Sequence, residues 1–314
     1  MPGASSSPAM SALLPCSRNY CPFAGPRAAG KPPSAVSTAL GRRFRLRRNA
    51  RRPPAPGLRP GAAAAAEAAR ILPAGPARKG EKDMVLFSLE CSAAAASAAL
   101  YRDGKLLGEQ FLNVPQTHSV TLLPMAQSLL EHTGISPEQV DYYAVSRGPG
   151  SFTGLRIGIA AVKGLAFPDR IPCIGVSTPE AIAYGLLGFE GTVVPMMDAR
   201  CGQVYTALFR GQAGTLTRLT EDEALPLTEL KKKLQDCPAP LWLCGDGAHL
   251  GLAAWGEELP VKLAPAHLCC QRAAAVGLAA MNHLGEAVSP EALVPCYLRP
   301  ANAMTLEQRQ HKAE

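Results

Sequence analysis

Most of the marks of a metalloprotein or a membrane protein are missing from this chain. It has ten cysteines but no C-x-x-C pair, and the adjacent Cys269 and Cys270 cannot grip one ion in the usual way, which excludes a zinc knuckle or ribbon. The thiols read instead as the reduced, mostly buried cysteines of a cytosolic protein. No apolar run approaches eighteen residues free of charge, so a spanning helix is excluded, and there is no secretory h-region. Acidic residues are nearly absent from the first eighty positions. That stretch holds twelve Arg and two Lys against the single acid Glu67, a balance of +13. The net charge of +7 therefore misleads, because residues 81–314 carry 18 bases against 24 acids, or −6. A surface of that sign has no broad phosphate-neutralising patch, and electrostatics supply most non-specific nucleic-acid affinity. Any contact with RNA is expected to need a partner.

Residues 1–83 are rich in Ala, Pro, Arg and Gly and show no periodic apolar face, so they cannot bury enough surface to offset the cost of ordering them. Disorder is the first reading. Arg-rich, Ser-containing and acid-poor composition also fits an organelle transit peptide, although only Gly41 to Arg48 has an amphipathic character. A third reading makes Met84 the true start, because Lys79-Gly80-Glu81 can be encoded by a purine-rich run resembling a bacterial ribosome-binding site. The third is preferred here. Residues 301–314 form a polar tail.

From Met84 onward the chain alternates apolar runs with turn signals. Met84–Leu89, Ala95–Leu100 and Lys105–Leu112 read as three strands, the last two joined by the Asp103-Gly104 hairpin marker. A helix beginning at His118-Ser119 keeps Leu122, Met125, Ala126, Leu129 and Leu130 at helical spacing, with Pro124 near its first turn or kinking it, and ends at Gly134. The strand Tyr142–Val145 leads into Arg147 to Gly158, RGPGSFTGLRIG, and a further helix. Gly148, Gly150 and Gly154 permit backbone angles closed to other residues, and Ser151 and Thr153 suit the free amides at a helix start. Such a loop can hold an anion. Yet no Gly-Lys-Ser/Thr follows it, and its glycine spacing is not G-x-G-x-x-G. Ile171–Val176 is the next strand, and Ser177 or Thr178 with Pro179 and Glu180 opens another helix.

A second unit from Gly191 repeats the opening arrangement. Thr192–Met197 and Gln203–Phe209 are expected as strands around the turn Asp198 to Gly202, with Thr215–Leu219 as a third. A helix over Leu227–Leu234, a strand Leu241–Cys244 ending in Gly245-Asp246-Gly247, and a long helix from about His267 to His283 complete it. The fold class is α/β, of the kind shared by actin, heat-shock chaperones and sugar kinases, with two βββαβα-type subdomains at 84–190 and 191–300.

These motifs together carry a family resemblance. RGPGSFTGLRIG, preceded by His118 to Met125 (HSVTLLPM) and followed by IGVSTPEAIA, MDARCGQVY, GDGA and VPCYLRP, resembles the TsaB (YeaZ) family of bacterial tRNA threonylcarbamoyladenosine proteins. The resemblance covers Met84 to about Pro300. It implies a non-catalytic, cytoplasmic scaffold that pairs with a TsaD-type catalytic subunit, is joined by a TsaE-type ATPase, and meets tRNA only through that complex. It also implies no tightly bound cofactor, with ATP or ADP handled at the complex. The catalytic subunit is marked by an H-x-x-x-H metal pair. Here His118 and His132 are fourteen apart and His249, His267, His283 and His311 are isolated, which speaks against metal catalysis. The chain departs from the family pattern in three places. Glu90-Cys91 stands where Asp-Thr is usual, Gln203 stands where Glu is common, and the first 83 residues are foreign to it.

Two sets of residues remain candidates. Glu90, Gly148, Gly150, Ser151, Thr153 and Asp198 could surround a nucleotide, as in a Mg-ATP-dependent small-molecule kinase or ATPase of this fold. The bland readings are a solvated hairpin acid for Glu90, which is preferred because partner carboxylates for a metal are not evident, and a turn cap for Asp198. Asp246 reads either as approaching a nucleotide or as a loop acid. His118, Leu122, Met125, Leu155, Gly158, Ala161 and Val162 mark a helix pair whose apolar and small residues suit a partner subunit, or a second copy of the chain when that subunit is absent. The same pair could simply cover its own sheet. N-terminal sequencing of the mature protein is expected to give a chain that begins at or just after Met84, and a start before it overturns that reading.

Overall fold

The computed structural model describes residues 83–299. The Arg-rich segment, its disordered, targeting and leader readings, and the polar tail lie outside the described residues.

The first apolar run becomes β1 (Val85–Glu90), buried along its whole length, and pairs antiparallel with β2 (Ala96–Arg102), which pairs with β3 (Lys105–Leu112). The β2–β3 turn places Asp103 and Gly104 at φ of 50° and 75°, the left-handed pair that an Asp-Gly hairpin supplies. There follow α1 (His118–Thr133), β4 (Tyr142–Gly148), α2 (Phe152–Ala166), β5 (Cys173–Ser177) and α3 (Thr178–Tyr184). β4 lies parallel between β1 and β5, giving the order β3-β2-β1-β4-β5. A strand covered on both faces must be apolar throughout, which is why β1 and β4 read as unbroken runs.

Pro124 is the seventh residue of α1 and does not end it. The amide it lacks would have bonded the carbonyl of Val120, which lies on the helix's exposed side where water can serve instead. Gly134 closes the helix at φ 67°. Ser177, rather than Thr178, caps α3, its hydroxyl accepting the Glu180 amide at 3.2 Å.

The second unit comprises β6 (Gly191–Arg200), β7 (Gln203–Thr206), β8 (Phe209–Gln212), β9 (Thr215–Arg218), β10 (Glu223–Pro226), α4 (Leu227–Gln235), β11 (Leu241–Cys244), α5 (Ala248–Trp255) and β12 (Val261–Leu263). Its order, β10-β7-β6-β11-β12, repeats the first strand for strand, with antiparallel pairs on one side of β6 and parallel pairs on the other. This is the actin and sugar-kinase architecture in two copies. β8 and β9 form an extra hairpin. β6 is long enough to hold β7 with Met196 to Arg200 and β8 with Gly191 to Val193.

Three expectations need correction. The run Gln203–Phe209 breaks after Thr206, where the Leu208 amide turns to the Thr220 hydroxyl at 2.9 Å, and the third strand of the repeat is β10, not residues 215–219. The long helix from His267 is a single tight turn, Ala266–Leu268, followed by α6 (Ala273–Ala280). Arg272 is extended between them, at φ −136° and ψ 138°, and the side chains of Gln271 and Arg272 reach Asp246 and Glu109. Finally, α6 packs on the first sheet, not the second. Ser88 and Tyr101 donate to the carbonyls of Ala273 and Ala274 at 2.7 and 2.6 Å, and the Ala273 amide donates to Ser97 at 2.7 Å. Gly277 is glycine because a Cβ there would run into the Tyr101 ring. A boundary at residue 191 therefore misses a segment that returns to the first unit.

The sides of the first sheet are thus complementary. Phe87, Leu89, Val145, Leu122, Leu129, Ile159 and Val162 form a core under α1 and α2. Leu86, Ala144, Ile174, Val276 and Ala280 form one under α3 and α6. Charge fastens α3, the extra hairpin and the segment after α6. Arg218 bonds Asp222 at 2.8 Å and Glu180 at 3.1 Å, while His283 bonds Glu180 and Glu286, each at 2.9 Å. The hydrogen bond to Glu180, and after it that to Glu286, outweigh the burial that opposes protonation and hold the imidazolium up to about 9. The sign follows: this stabilisation is fully present below the unfolded value of about 6.5 and is lost as pH rises through about 9. Replacing His283→Gln is expected to lower the urea midpoint at pH 6, with the gap to the parent closing by pH 10; a gap that does not narrow over that range refutes the assignment.

Candidate functional site

The glycine-rich loop between β4 and α2 is where both repeats and the end of the chain converge. Its glycines are set by close approach of the chain's own backbone. Gly148 sits at φ 125°, and a Cβ there would strike the Cys296 carbonyl. At Gly150 it would meet the Ser92 carbonyl at 2.6 Å, at Gly154 the Cys91 carbonyl, and at Gly158 the Cys91 sulfur at 2.8 Å. Hydrogen bonds tie the same pieces together. Ser151 N donates to the Ser92 carbonyl at 2.7 Å, Cys91 Sγ to the Gly154 carbonyl at 3.2 Å, and Cys296 N to the Arg147 carbonyl at 2.7 Å. Ser151 caps α2 through the Gly154 amide at 3.2 Å. The space beside Gly148, Gly150 and Gly154, which could have cradled an anion, is filled by the β1–β2 turn and by the strap around Cys296. Ser151 and Thr153 stay exposed at the helix start.

Glu90 is the clearest departure from expectation. It is fully buried, not a solvated hairpin acid. The Ser92 amide donates to Oε1 at 2.5 Å and the Ser146 hydroxyl to Oε2, so the carboxyl pins the β1–β2 turn to β4. Burial pushes its pKa up, against the hydrogen bonds from Ser146 and Ser92 and the nearby His118. Burial, and then the Glu90 charge, push the Cys91 thiol up as well, which makes it an inert packing group.

Asp198 lies at the end of β6 and holds its turn. Oδ1 accepts the Arg200 amide at 2.8 Å and Oδ2 pairs with its guanidinium at 3.1 Å, while Arg200, Cys201 and Gly202 all take positive φ, 67°, 54° and 70°. Its backbone abuts Gly247, and Asp246 next door accepts from Gln271 Nε2 at 2.7 Å. So the candidate nucleotide set divides. Glu90, Gly148 and Gly150 share one packed junction with Ser151 and Thr153 exposed at its edge, and Asp198 belongs to the second repeat's loops. The two groups flank a cavity of about 200 Å³ that neither carboxylate lines. Among the described residues no group of three His, Cys, Asp or Glu could hold a metal ion, and no helix is long and apolar enough to cross a membrane.

The helix pair is real: α1 and α2 pack side by side. The residues named for a partner nonetheless face inward. Leu122, Met125, Leu155, Ala161 and Val162 are buried against the first sheet, Gly158 is pressed on Cys91, and the His118 ring bonds the Ala93 carbonyl at 2.7 Å. Hydrophobic periodicity finds the stripe that a helix buries in its own protein first. The outward stripe is Val120 (65 % exposed), Leu123 (48 %) and Pro124 on α1, with Ala160, Gly164 and Phe167 (59 %) along and just beyond α2. The strap at Tyr297 to Arg299, which lines the cavity, is too polar to place from sequence, and its position is set by the packing of Cys296 on Gly148 and by the Arg299 bond to the Ala199 carbonyl at 2.8 Å.

Fold and junction together define a two-repeat actin-like molecule whose glycine loop is closed by its own backbone. The comparisons narrow this. Residues 113–244 match the family model described as "TsaD: tRNA N6-adenosine threonylcarbamoyltransferase". The tRNA threonylcarbamoyladenosine biosynthesis protein TsaB of Bacillus subtilis (strain 168) is 30% identical over 220 residues, 70% of this chain and 96% of that protein. TsaB of Escherichia coli (strain K12) is 36% identical over 149 residues, 47% of this chain and 64% of its own. The solved YeaZ from Pseudomonas aeruginosa, 30% identical, superposes with a TM-score of 0.56 over 68% of this chain and all of its own. The chain belongs to the TsaB (YeaZ) family of tRNA threonylcarbamoyladenosine biosynthesis proteins.

Because the Glu90 carboxyl is raised, the folded state favours its protonated form, and its linkage contribution is greatest below about pH 4.3 and declines as pH rises. Glu90→Gln keeps an acceptor for Ser92 and carries no charge. The variant is expected to gain stability relative to the parent between pH 4.5 and 7.5 in urea titrations, and a constant or reversed difference counts against the buried-acid assignment.

Proposed function

We propose that this chain is a non-catalytic scaffold and activator subunit of the machinery that transfers a threonylcarbamoyl group to the adenosine beside the anticodon of tRNAs reading codons that begin with A. In this reading it pairs through the outward face of α1 and α2 with a TsaD-type catalytic subunit, which a TsaE-type ATPase joins. ATP or ADP is handled at the assembly without tight binding here, and the chain self-associates through the same face when alone.

The observation that carries the reading is that stripe. Val120, Leu123 and Pro124 recur at helical spacing, and Ala160, Gly164 and Phe167 follow at intervals of four and three. Ala160 and Gly164 give a flat surface that a helix backbone can approach, and large apolar residues border it. A contiguous apolar face of this kind is uncommon on a monomer that has no partner. The packed glycine junction and the buried Glu90 weigh in the same direction, since a kinase of this architecture needs room beside its phosphate turns.

Leu123→Glu combined with Ala160→Glu places two charges on the outward face without touching the core. Co-purification with the catalytic subunit is expected to fall at least tenfold, with the modified nucleoside in tRNA, read by mass spectrometry, falling alongside and the melting temperature unchanged. Undiminished pairing rejects this face. Gly158→Glu is unsuitable for the purpose, because its side chain would strike Cys91 and Val145 and unfold the subunit itself.

A further inference from the structure

The cavity of about 200 Å³ lies between Pro149 to Phe152, the β6–β7 turn and the C-terminal strap, apart from the outward face of α1 and α2. Its wall is chemically pointed. Three aromatic residues, Phe152, Tyr205 and Tyr297, and two arginines, Arg200 and Arg299, are among its lining residues, and no acidic residue is. Asp198, one residue outside, neutralises one edge of Arg200 at 3.1 Å, and Arg299 is anchored at the rim by donating to the Ala199 carbonyl at 2.8 Å. Two of these rings are in contact, Phe152 and Tyr297 with centroids 4.9 Å apart, and Arg156 lies 5.3 Å over the Phe152 ring. An acid-free, arginine-bearing pocket stands out on a globular part whose net charge is −6.

Rings beside guanidinium groups are the surface on which an unpaired base stacks while its phosphate is held by charge-assisted hydrogen bonds. Size decides which nucleotide-bearing ligand fits. The cavity is smaller than the roughly 300–1,000 Å³ of sites that enclose a whole small molecule. It has room for one flat base, not for a nucleoside triphosphate, and duplex RNA cannot enter. We propose that this cavity takes a single unpaired nucleotide, its base against Tyr205 and Tyr297 and its phosphate on Arg200 and Arg299. Resting on the reading of the chain as a tRNA-modifying subunit, that nucleotide belongs to an RNA strand.

The assembled complex, prepared with Tyr297→Ala and separately with Arg200→Gln, tests this by fluorescence polarisation on an unmodified anticodon stem-loop, with AMP and inorganic phosphate as competitors. Each variant is expected to bind the stem-loop about ten- to a hundredfold more weakly, the loss associated with one stacked base. Size-exclusion profiles and melting temperatures should stay unchanged, and AMP should compete only weakly. Stem-loop affinity within twofold of the parent in both variants overturns the proposal. Strong competition by AMP that depends on Tyr297 overturns the RNA source in favour of a free nucleotide, and competition by phosphate alone overturns the role of the rings. If the parent chain forms no complex, the scaffold reading has failed on its own account. The same titrations on the full chain alone then support the cavity assignment if both variants weaken binding, and overturn it if neither does.

Discussion

Cys91 and Ser92 touch three of the glycines that follow β4, and the arrangement of the first repeat depends on that contact. Their carbonyls and the Cys91 sulfur occupy the places that side chains at 150, 154 and 158 would need. Glu90 then fixes the same turn to β4 from the opposite side, through Ser146. A buried carboxyl costs several kcal/mol in isolation and is kept only where donors satisfy it. Here they come from Ser92, two residues away, and Ser146, 56 residues away. The junction is therefore held by backbone fit and one satisfied acid.

Much of the chain's organisation was legible because it is written in local terms. β3 and β11 fall where apolar runs and turn residues place them, Asp103-Gly104 turns as its chemistry requires, and Gly134 ends α1. The pairing of repeats was also readable, since the second unit opens with the same strand-turn-strand signal. What failed was set by partners distant in sequence. The alanine-rich stretch after residue 267 has the composition of a long helix, yet Arg272 is extended and the side chains of Gln271 and Arg272 reach Asp246 and Glu109. β10 is four half-buried residues whose strand character comes from pairing with β7.

The site was legible in part for a related reason. The sequence locates the glycine loop and the helix pair correctly, but periodicity cannot say which stripe of a helix is spent inside the molecule and which is left over. Leu122 and Met125 carry the strongest signal because the protein's own core takes them; the residues available to a partner are the weaker ones between. Glu90 looked like a solvated hairpin acid because nothing near it in sequence announces Ser146. The two repeats, alike in topology, have diverged accordingly. The first presents a bare helix pair, and the second carries the β8–β9 hairpin and the arginine-lined turn.

The return of α6 to the first sheet has a consequence for how the protein is made. One side of that sheet has only α3 to cover it until Ala273 to Ala280 have left the ribosome. At typical synthesis speeds of about 5–20 residues per second, the hundred or so residues between α3 and α6 take some five to twenty seconds to appear. During that interval Leu86, Ala144 and Ile174 lack the α6 half of their cover on a nascent half-molecule. A prematurely terminated message would thus release a chain with a partly open apolar sheet, and chaperone capture rather than autonomous domain folding is the natural fate of such a fragment.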